Sequence, residues 1–252
     1  MSVPDSHPRA KSLKLRERLV EGLHAGLVTE SGLIAHGRGE ALDYLLGERT
    51  HDFARRAIEA ASAYLTLARH PVLSINGNAA ALAAEQFVAL AQDDPRLILE
   101  VNLFYWTPER VEKIIQRLRD VAQGASPTIF DSRGPGSILL SGSDNPRRQV
   151  HPDGIGRADV VLVSLEDGDR CEALLAGGMT VICVDLNPLS RTAQRCQVSI
   201  VDELTRCLPV LGECLRRDRG RGRQELEERV RGYDNRQVLA DAVTALRHGA
   251  TD

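Results

Sequence analysis

The nine residues from Asp185 to Ala193 concentrate side chains that could do chemistry. Their sequence, D-L-N-P-L-S-R-T-A, directly follows an apolar run, T-V-I-C-V, that predicts a buried strand. A carboxylate, an amide, two hydroxyls and a guanidinium would therefore stand together at the carboxyl end of a strand. In open α/β sheets, that end is where small ligands bind. The stretch predicts a nucleotide site without a lysine.

Polar residues also stand where three other strand-like runs end. They are Asn76, Asn102 and the pair Glu166-Asp167. One such ending is ordinary turn chemistry. Because four occur on successive predicted strands, we expect them to share one crevice at the carboxyl edge of a parallel sheet.

Two of these endings allow both a ligand-binding and a structural interpretation. Asn76-Gly77-Asn78 could cradle a phosphate or carboxylate at a helix start, or its asparagine could cap the helix. Asp167-Gly168-Asp169-Arg170 could hold a magnesium-bound phosphate, or form a turn and an N-cap. The residue types alone leave both alternatives open.

Residues 31–41, which include A-H-G-R-G-E-A at 35–41, predict a loop that leads into a short helix. The fragment G-R-G-E-A begins like the dinucleotide fingerprint G-x-G-x-x-G but lacks the third glycine, and the sequence contains no P-loop motif. Arg38 on such a loop could meet a phosphate, or be a solvated arginine in a turn. His36 and Glu40 flank it and could form an acid/base pair, although a histidine beside a turn is more often structural.

Composition limits the function classes. The 252 residues are 42% hydrophobic and 27% charged, with a net charge of −3, as in globular proteins. Nothing global indicates nucleic-acid or membrane binding, no signal core is visible, and we expect a cytoplasmic protein. Only three of the 32 basic residues are lysines, so a phosphate site must use arginine and backbone N–H groups. Five cysteines without C-x-x-C spacing predict buried thiols, and we expect no structural metal.

Alternating strand and helix patterns predict an α/β fold: a Rossmann-like, mostly parallel sheet with an N-terminal helical region and a C-terminal helical tail. The predicted parts are helical residues 1–70, a nucleotide-binding core at 71–215, and a linker with a final helix at 216–252, all in one compact unit. Thr50 is predicted to cap a long helix. Residues 123–157 are predicted to be mostly irregular, with one strand-like piece near 137–140.

Several motifs, in order, resemble a known family. They are H-P-R-x-K-S-L-x-x-R-E-R from His7, L-I-A-H-G-R-G-E-A, S-x-N-G-N, E-V-N-L-F-Y, A-D-V-V-L-V-x-L-E-D-G-D-R and D-L-N-P-L-S-R-T-A. Together they resemble the archaeal 4-phosphopantoate–β-alanine ligases, also called archaeal phosphopantothenate synthetases. The resemblance extends from His7 to about Pro209.

The resemblance implies an ATP-dependent, amide-forming ligase of coenzyme A biosynthesis that acts as a homodimer. Such an enzyme condenses 4-phosphopantoate with β-alanine and releases AMP and pyrophosphate, with Mg²⁺ delivered on ATP. The ATP-binding positions implied here are Arg16, Arg38, Asp185, Leu186, Asn187, Arg191, Thr192, Asp202 and Glu203. We assign Asn76, Gly77, Asn78, Asn102 and Arg170 to substrate binding, and Arg38, His36 and Glu40 to catalysis. No metal ligands are assigned.

Two positions depart from the resemblance. Glu203 stands where the family has asparagine, and Trp106 stands where a basic residue is expected after F-Y. If that basic residue binds phosphate, another arginine must replace it here.

Rival functions remain open from the residues alone. A non-catalytic nucleotide sensor would suit the polar strand ends equally well. An NAD-dependent oxidoreductase is disfavoured by the missing third glycine. The arginine run 216–223 could touch RNA, but a solvated linker is the favoured interpretation.

Overall fold

The computed structural model describes residues 4, 6–140 and 148–249. Strands in these ranges are β1 (Pro71–Ile75), β2 (Ile98–Val101), β3 (Ile129–Asp131), β4 (Ile138–Leu139), β5 (Gln149–Val150), β6 (Val160–Ser164), β7 (Thr180–Val184) and β8 (Val198–Ile200). Helices are α1 (Ala10–His24), α2 (Glu30–Leu45), α3 (Asp52–Leu67), α4 (Gly77–Asp93), α5 (Pro108–Asp120), α6 (Gly168–Ala176), α7 (Arg191–Arg195), α8 (Leu204–Asp218), α9 (Arg223–Gly232) and α10 (Asn235–His248).

Six strands form one parallel sheet in the order β3-β2-β1-β6-β7-β8. The strand order reverses between β1 and β6, where Leu73 is in register with Leu162. Such a switch point leaves a crevice outside the carboxyl ends of the two strands, which is where α/β sheets bind ligands. The predicted α/β, Rossmann-like fold is confirmed. β4 and β5 form a separate antiparallel pair.

The central strands lie in the core because helices cover both faces of the sheet. Every residue of β1 and β6 is buried, and both strands are rich in Val, Leu and Ile, as expected for a covered parallel sheet. Helix α8 packs against both α3 and α4, and alanines such as Ala57 and Ala84 are fully buried. All five cysteines are free and buried, as predicted.

The predicted loop at residues 31–41 is wrong, because these residues lie inside the continuous helix α2. Thr29 caps this helix by accepting a hydrogen bond from the Gly32 amide. Glycines lower helix propensity, but tertiary packing overrides propensity. The Asn78 amide donates to the Gly32 carbonyl at 2.8 Å, and Gly39 lies against Leu186.

Other boundaries also differ from expectation. Thr50 does not cap α3; its hydroxyl instead donates to Asp202 at 2.6 Å. His51 holds the cap position, but its side chain makes no capping bond and its ring bonds to the Leu46 carbonyl instead. By contrast, the second strand ends at Val101, directly before Asn102, as expected. Three short strands, β3, β5 and β8, were not predicted, because two or three residues carry too little periodicity to recognise.

The C-terminal part is helical earlier than predicted. Helix α8 continues through Asp218, so only residues 219–222 remain of the predicted linker. Asp218 is buried and accepts hydrogen bonds from Ser62 and Arg229, each at 2.7 Å. These bonds tie α8 to both α3 and α9. The predicted final helix is broken after Gly232, since α9 ends there and α10 begins at Asn235.

Candidate active site

A cavity of about 370 Å³ lies at the switch point, outside the ends of β1 and β6. We call it the rim cavity. The Asn76 amide crosses the switch point and donates to the Ser164 carbonyl at 2.7 Å, which joins the two strand ends. The cavity is lined by Thr29, Ser31, Gly32, Ala35, Arg38, Asn76, Gly77, Asn78, Leu103, Phe104, Tyr105, Arg110, Leu165, Glu166 and Asp167.

The N-terminus of α4 forms one wall of the rim cavity. The side-chain carbonyl of Asn76 caps this helix by accepting from the Ala79 amide at 2.9 Å, and its side-chain NH2 group donates to Ser164. The side-chain NH2 group of Asn78 donates to Gly32, so both asparagine side chains have structural partners. The first N–H groups of the helix, on Gly77 and Asn78, have no intrahelical acceptor and carry the positive end of the helix dipole. The backbone, rather than the asparagine side chains, is therefore the anion-binding group here.

Gly77 is required by a close approach of the chain. A Cβ atom at this position would collide with the backbone carbonyl oxygen of Leu27 and with the Arg110 guanidinium. Arg110 itself donates to that carbonyl through Nε and Nη2, at 3.0 and 2.8 Å. The N-G-N turn is thus packed directly against the connection between α1 and α2.

The end of β6 and the start of α6 form the opposite wall. Asp167 caps α6 by accepting from the Arg170 amide at 2.8 Å. The Thr192 hydroxyl donates to the Glu166 carbonyl at 2.7 Å, which fixes the start of α7 beside this loop. Two helix N-termini, those of α4 and α6, therefore adjoin one cavity, and Arg38 adds a guanidinium from α2.

The stretch after β7 is folded upon itself. The Asp185 carboxylate accepts from the Asn187 amide at 2.9 Å and from the Ser190 hydroxyl at 2.5 Å. Burial raises the pKa of Asp185, whereas these bonds and the nearby Arg38 charge oppose the rise. Arg38 and Asp185 thus share one electrostatic environment. Arg191 is exposed and ion-paired with Asp169.

A second cavity, of about 510 Å³, lies on the other side of α2, between α2 and α1. We call it the cleft cavity. The Glu40 carboxylate accepts from Arg9 at 2.9 Å and from Arg16 at 2.6 Å. Burial would raise the pKa of Glu40, but the Arg16 bond and the surrounding charges hold it below its ordinary value. The cavity is lined by Arg9, Arg16, Leu19, Val20, Leu33, His36, Gly37, Glu40, Ala41 and Tyr44.

His36 lies between the cleft cavity and the sheet. It also lines a small space of about 20 Å³ formed with the ends of β6 and β7 and with Leu186, Asp202 and Glu203. The ring is about nine-tenths buried, and its Nε2 atom has no hydrogen-bond partner within the part of the chain that is described. Burial lowers the pKa of His36, against the opposing charge of Glu40. The ring is therefore neutral near pH 7.

Asp202 and Glu203 are held by structural partners. Asp202 accepts from Thr50 and Arg206, and Arg206 also donates to Asp43 of α2 at 2.9 Å. Glu203 caps α8 by accepting from the Thr205 amide at 2.8 Å, and burial raises its pKa. A carboxylate at position 203 thus performs the capping that asparagine could also perform.

Arg170 and Asn102 lie beneath the crevice rather than on its surface. Arg170 is 1% exposed, forms an ion pair with Glu166 and donates to the Ser74 hydroxyl at 3.1 Å. Asn102 is equally buried and donates to the Gln149 carbonyl at 3.1 Å. Both side chains brace the loops that form the rim.

Glu100 completes this buried polar layer and was not among the predicted site residues. Its carboxyl accepts from the Ile155 amide at 2.7 Å, and burial raises its pKa to about 7 despite the Arg170 charge. A Cβ atom on Gly154 would collide with this carboxyl, so the loop passes directly over it. A glutamate inside an otherwise apolar strand run was the available signal.

The predicted site residues therefore fall into two groups. Arg38 and Asn76-Gly77-Asn78 line the rim cavity, whereas Arg16, His36 and Glu40 line the cleft cavity and Leu186 borders the small space beside His36. Sequence reasoning missed Arg9 and Asp43. Had residues 30–45 been recognised as helical, the spacing of positions 36, 40 and 43 would have placed these side chains on one face.

An arginine accompanies the unexpected tryptophan. The Arg133 guanidinium lies 5.2 Å from the centre of the Trp106 ring, and the indole N–H donates to Asp131 at 3.2 Å. A cation therefore does stand beside position 106, although it comes from the loop after β3.

Three further observations concern metal ligands, membrane spans and the cations of the two cavities. Among the described residues, no group of three or more His, Cys, Asp or Glu side chains could hold a metal ion. No helix in the described ranges is long and apolar enough to cross a membrane. The cationic side chains that line the two cavities are arginines.

Comparison with known proteins identifies the family of this chain. The family model described as phosphopantothenate/pantothenate synthetase matches residues 53–249. A protein of Thermococcus kodakarensis named 4-phosphopantoate–β-alanine ligase is 45% identical over 256 residues, covering 100% of this chain and 94% of the relative. Proteins with the same name from Methanosarcina mazei and Methanospirillum hungatei are 45% and 48% identical, covering 97% and 82% of this chain and 94% and 82% of their own lengths. The chain belongs to the phosphopantothenate/pantothenate synthetase family.

Proposed function

We propose that this protein is an ATP-dependent ligase that joins 4-phosphopantoate to β-alanine and releases AMP and pyrophosphate. The observation that carries the proposal is the rim cavity, where two helix N-termini and Arg38 meet at the switch point of a parallel sheet. Such a site binds anions through fixed backbone dipoles. Relatives that cover nearly the whole chain carry the name of this ligase.

The reaction proceeds in two steps in this proposal. The carboxylate of 4-phosphopantoate attacks the α-phosphorus of ATP, and the bond to pyrophosphate breaks. The β-alanine amine then attacks the acyl carbon of the adenylate, and AMP leaves. Most of the catalysis is positioning and charge stabilisation, which suits a rim built from N–H groups and a guanidinium and not from a nucleophilic side chain.

We assign the nucleotide to the ends of β6 and β7. Asp185, Leu186 and Asn187 hold the adenosine, whereas Arg38, Arg191 and Thr192 lie nearest its phosphates. Arg16, Asp202 and Glu203 complete the ATP-binding set inferred from the family resemblance. The support is that Leu186 lies against Gly39 of α2, the residue after Arg38, and that Thr192 is tied to the Glu166 loop.

The phosphate of 4-phosphopantoate is assigned to the N-terminus of α4, at Gly77 and Asn78. Asn76, Asn102 and Arg170 support this binding through the backbone that they brace. When bound with ATP, Mg²⁺ neutralises phosphate charge. Its ligands would be mainly phosphate oxygens and water, and Asp167 on the cavity wall could contribute a carboxylate oxygen.

The remaining assignments are a cytoplasmic location, a homodimer, and a nucleotide-binding core at 71–215 between helical ends at 1–70 and 216–252. Apolar side chains exposed on α1 and α2, Val20, Ile34 and Leu45, are consistent with an interface between copies. A monomer mass in light scattering at micromolar concentration would contradict the homodimer.

The deciding experiment is product analysis. Protein, ATP, Mg²⁺, 4-phosphopantoate and β-alanine are incubated together, and the nucleotide and amide products are identified by chromatography and mass spectrometry. AMP and 4′-phosphopantothenate in equal amounts support the proposal. Formation of ADP would exclude the adenylate route, and ATP binding without turnover would favour a nucleotide sensor.

A further inference from the structure

The cleft cavity differs from the rim cavity in the balance of its charges. Arg9 and Arg16 are cationic, but both are ion-paired with Glu40, and Arg9 is also paired with Glu48. The charges are therefore of both signs and nearly balanced. Arg16 belongs to the ATP-binding set, so the part of the cavity that remains for a second ligand is the end with Arg9, Glu40 and His36, whose charges of both signs suit a zwitterion.

Arg9 is held in place from two directions. Its guanidinium lies 4.7 Å from the centre of the Tyr44 ring, and it bonds to Glu40 at 2.9 Å. An arginine fixed in this way can bind a carboxylate in a defined orientation. Arg9 has no role in the nucleotide assignments, and its bonds to Glu40 and Glu48 use Nε and Nη2, so within the described residues Nη1 is the group that can bind a second ligand.

His36 provides the other half of such a site. Its buried Nε2 atom has no partner among the described residues, and an unpaired polar atom of this kind is costly unless a ligand or water pairs with it. Glu40, one helical turn farther along, places a carboxylate beside the ring. An imidazole next to a carboxylate can take a proton from an ammonium group and stabilise the charge formed.

The position of His36 also connects the two cavities. The ring lines the cleft cavity on one side and the small space at the ends of β6 and β7 on the other. A nitrogen nucleophile held in the cleft cavity would thus stand next to the strand ends to which we assign the nucleotide.

We propose that the cleft cavity binds β-alanine, with Arg9 on its carboxylate and His36 as the general base for its amine. This proposal rests on the proposed ligase function and adds a substrate site and a catalytic residue to it. Binding at this site places the amine toward the strand ends and the carboxylate toward the N-terminus of α1.

The proton balance of the step is complete. The β-alanine ammonium gives one proton to His36 Nε2, and the neutral nitrogen attacks the acyl carbon of the adenylate. The new C–N bond forms as the C–O bond to AMP breaks. The second proton on nitrogen leaves with the AMP phosphate, and the imidazolium returns its proton to solvent.

The test compares two nucleophiles in the complete enzyme. Hydroxylamine is unprotonated at neutral pH and needs no base, so it traps the adenylate as a hydroxamate without help from His36. We expect His36→Asn to lower 4′-phosphopantothenate formation by at least 100-fold and hydroxamate formation by less than threefold. Retained hydroxamate formation also shows that the variant is folded.

Other variants make the test decisive. Arg9→Lys should raise the KM for β-alanine at least tenfold while leaving the KM for ATP and hydroxamate formation unchanged. His24→Asn, an exposed histidine at the end of α1, is the matched control and should change neither product.

Three outcomes overturn this inference. They are equal loss of both products in a His36→Asn protein with an unchanged unfolding midpoint, an unchanged amide rate in that variant, and an unchanged KM for β-alanine in Arg9→Lys. Failure of the ligase proposal looks different, because the unmodified protein would then form neither AMP nor hydroxamate.

Discussion

The two faces of α2 carry two different kinds of binding surface. The face with Ala35 and Arg38 adjoins the rim cavity, which is built mainly from backbone N–H groups and helix ends. The opposite face, with His36 and Glu40, adjoins the cleft cavity, which is built from paired charged side chains. Fixed dipoles suit a phosphate, whereas balanced side-chain charges suit a zwitterion, so one helix can serve two substrates.

The largest expected effect is a loss of catalytic rate when Arg38 is removed from the rim cavity. Arg38→Ala should lower the rate of AMP formation at least tenfold, because one arginine at a developing charge contributes about 2–4 kcal/mol to the transition state. Quenched-flow measurement of AMP gives the rate. Arg55→Ala, an exposed arginine on α3, is the matched control. Full activity of Arg38→Ala would remove Arg38 from the mechanism.

The buried polar layer beneath the rim cavity should make the stability of the protein depend on pH. The pKa of Glu100 is raised from 4.5 to about 7, so the folded protein holds this proton more tightly than the unfolded chain. The resulting stabilisation is complete below pH 4.5 and is lost as the pH rises through about 7, for a total of about 3 kcal/mol. Urea unfolding between pH 4.5 and 8 measures it.

Glu100→Gln is the variant that isolates this titration. Its amide does not titrate in this range, so its free energy of unfolding should fall less between pH 5 and 7.5 than that of the unmodified protein. Parallel profiles for the two proteins would show that Glu100 does not titrate near neutral pH.

Two glycine substitutions compare the tight packing beside the rim cavity with the open space beside the cleft cavity. Gly77→Ala should cost roughly 1–3 kcal/mol of stability, because the new methyl meets the Leu27 carbonyl. Gly37→Ala, within α2 beside the cleft cavity, meets no atom within 4 Å and should stabilise the protein by about 0.5–1 kcal/mol. Thermal unfolding gives both values. Equal effects would show that the tight approach at Gly77 is not maintained in solution.

The smallest expected effect on stability concerns Arg191. Its ion pair with Asp169 is exposed and screened by solvent, so Arg191→Ala should leave the free energy of unfolding nearly unchanged. The same variant should raise the KM for ATP if Arg191 contacts phosphate, as we assign. An unchanged KM would limit the nucleotide site to Arg38 and the Asp185 stretch.

Much of the sheet could be predicted from sequence, because its central strands are long enough to show their periodicity. β1, β6 and β7 and the polar residues after them were predicted correctly, and the helix caps Asn76, Thr107 and Ser190 follow known preferences. The three-residue strands β3 and β8 carry no such pattern. Their pairing depends on neighbours that are distant in the chain.

The candidate site was harder to predict because of α2. Three glycines, at positions 32, 37 and 39, indicated a loop by local propensity, yet contacts with α4 and Leu186 keep the segment helical. Since helical periodicity places His36 and Arg38 on opposite faces, that error hid the division into two cavities. Sequence alone could identify the polar residues but could not show how they are separated.

The use of arginine as the cation in both cavities has a chemical consequence for the proposed reaction. An acyl-adenylate reacts with any free amine that it meets, and a lysine beside it would be acylated in place of the substrate. Guanidinium groups stay protonated at physiological pH and are poor nucleophiles. Two lysines, Lys11 and Lys14, line a different cavity on the other side of α1, and Lys113 is paired with Glu109 on α5. In the proposed reaction, the two cavities that we assign to substrates would thus present guanidinium groups, and no lysine amine, to the activated intermediate.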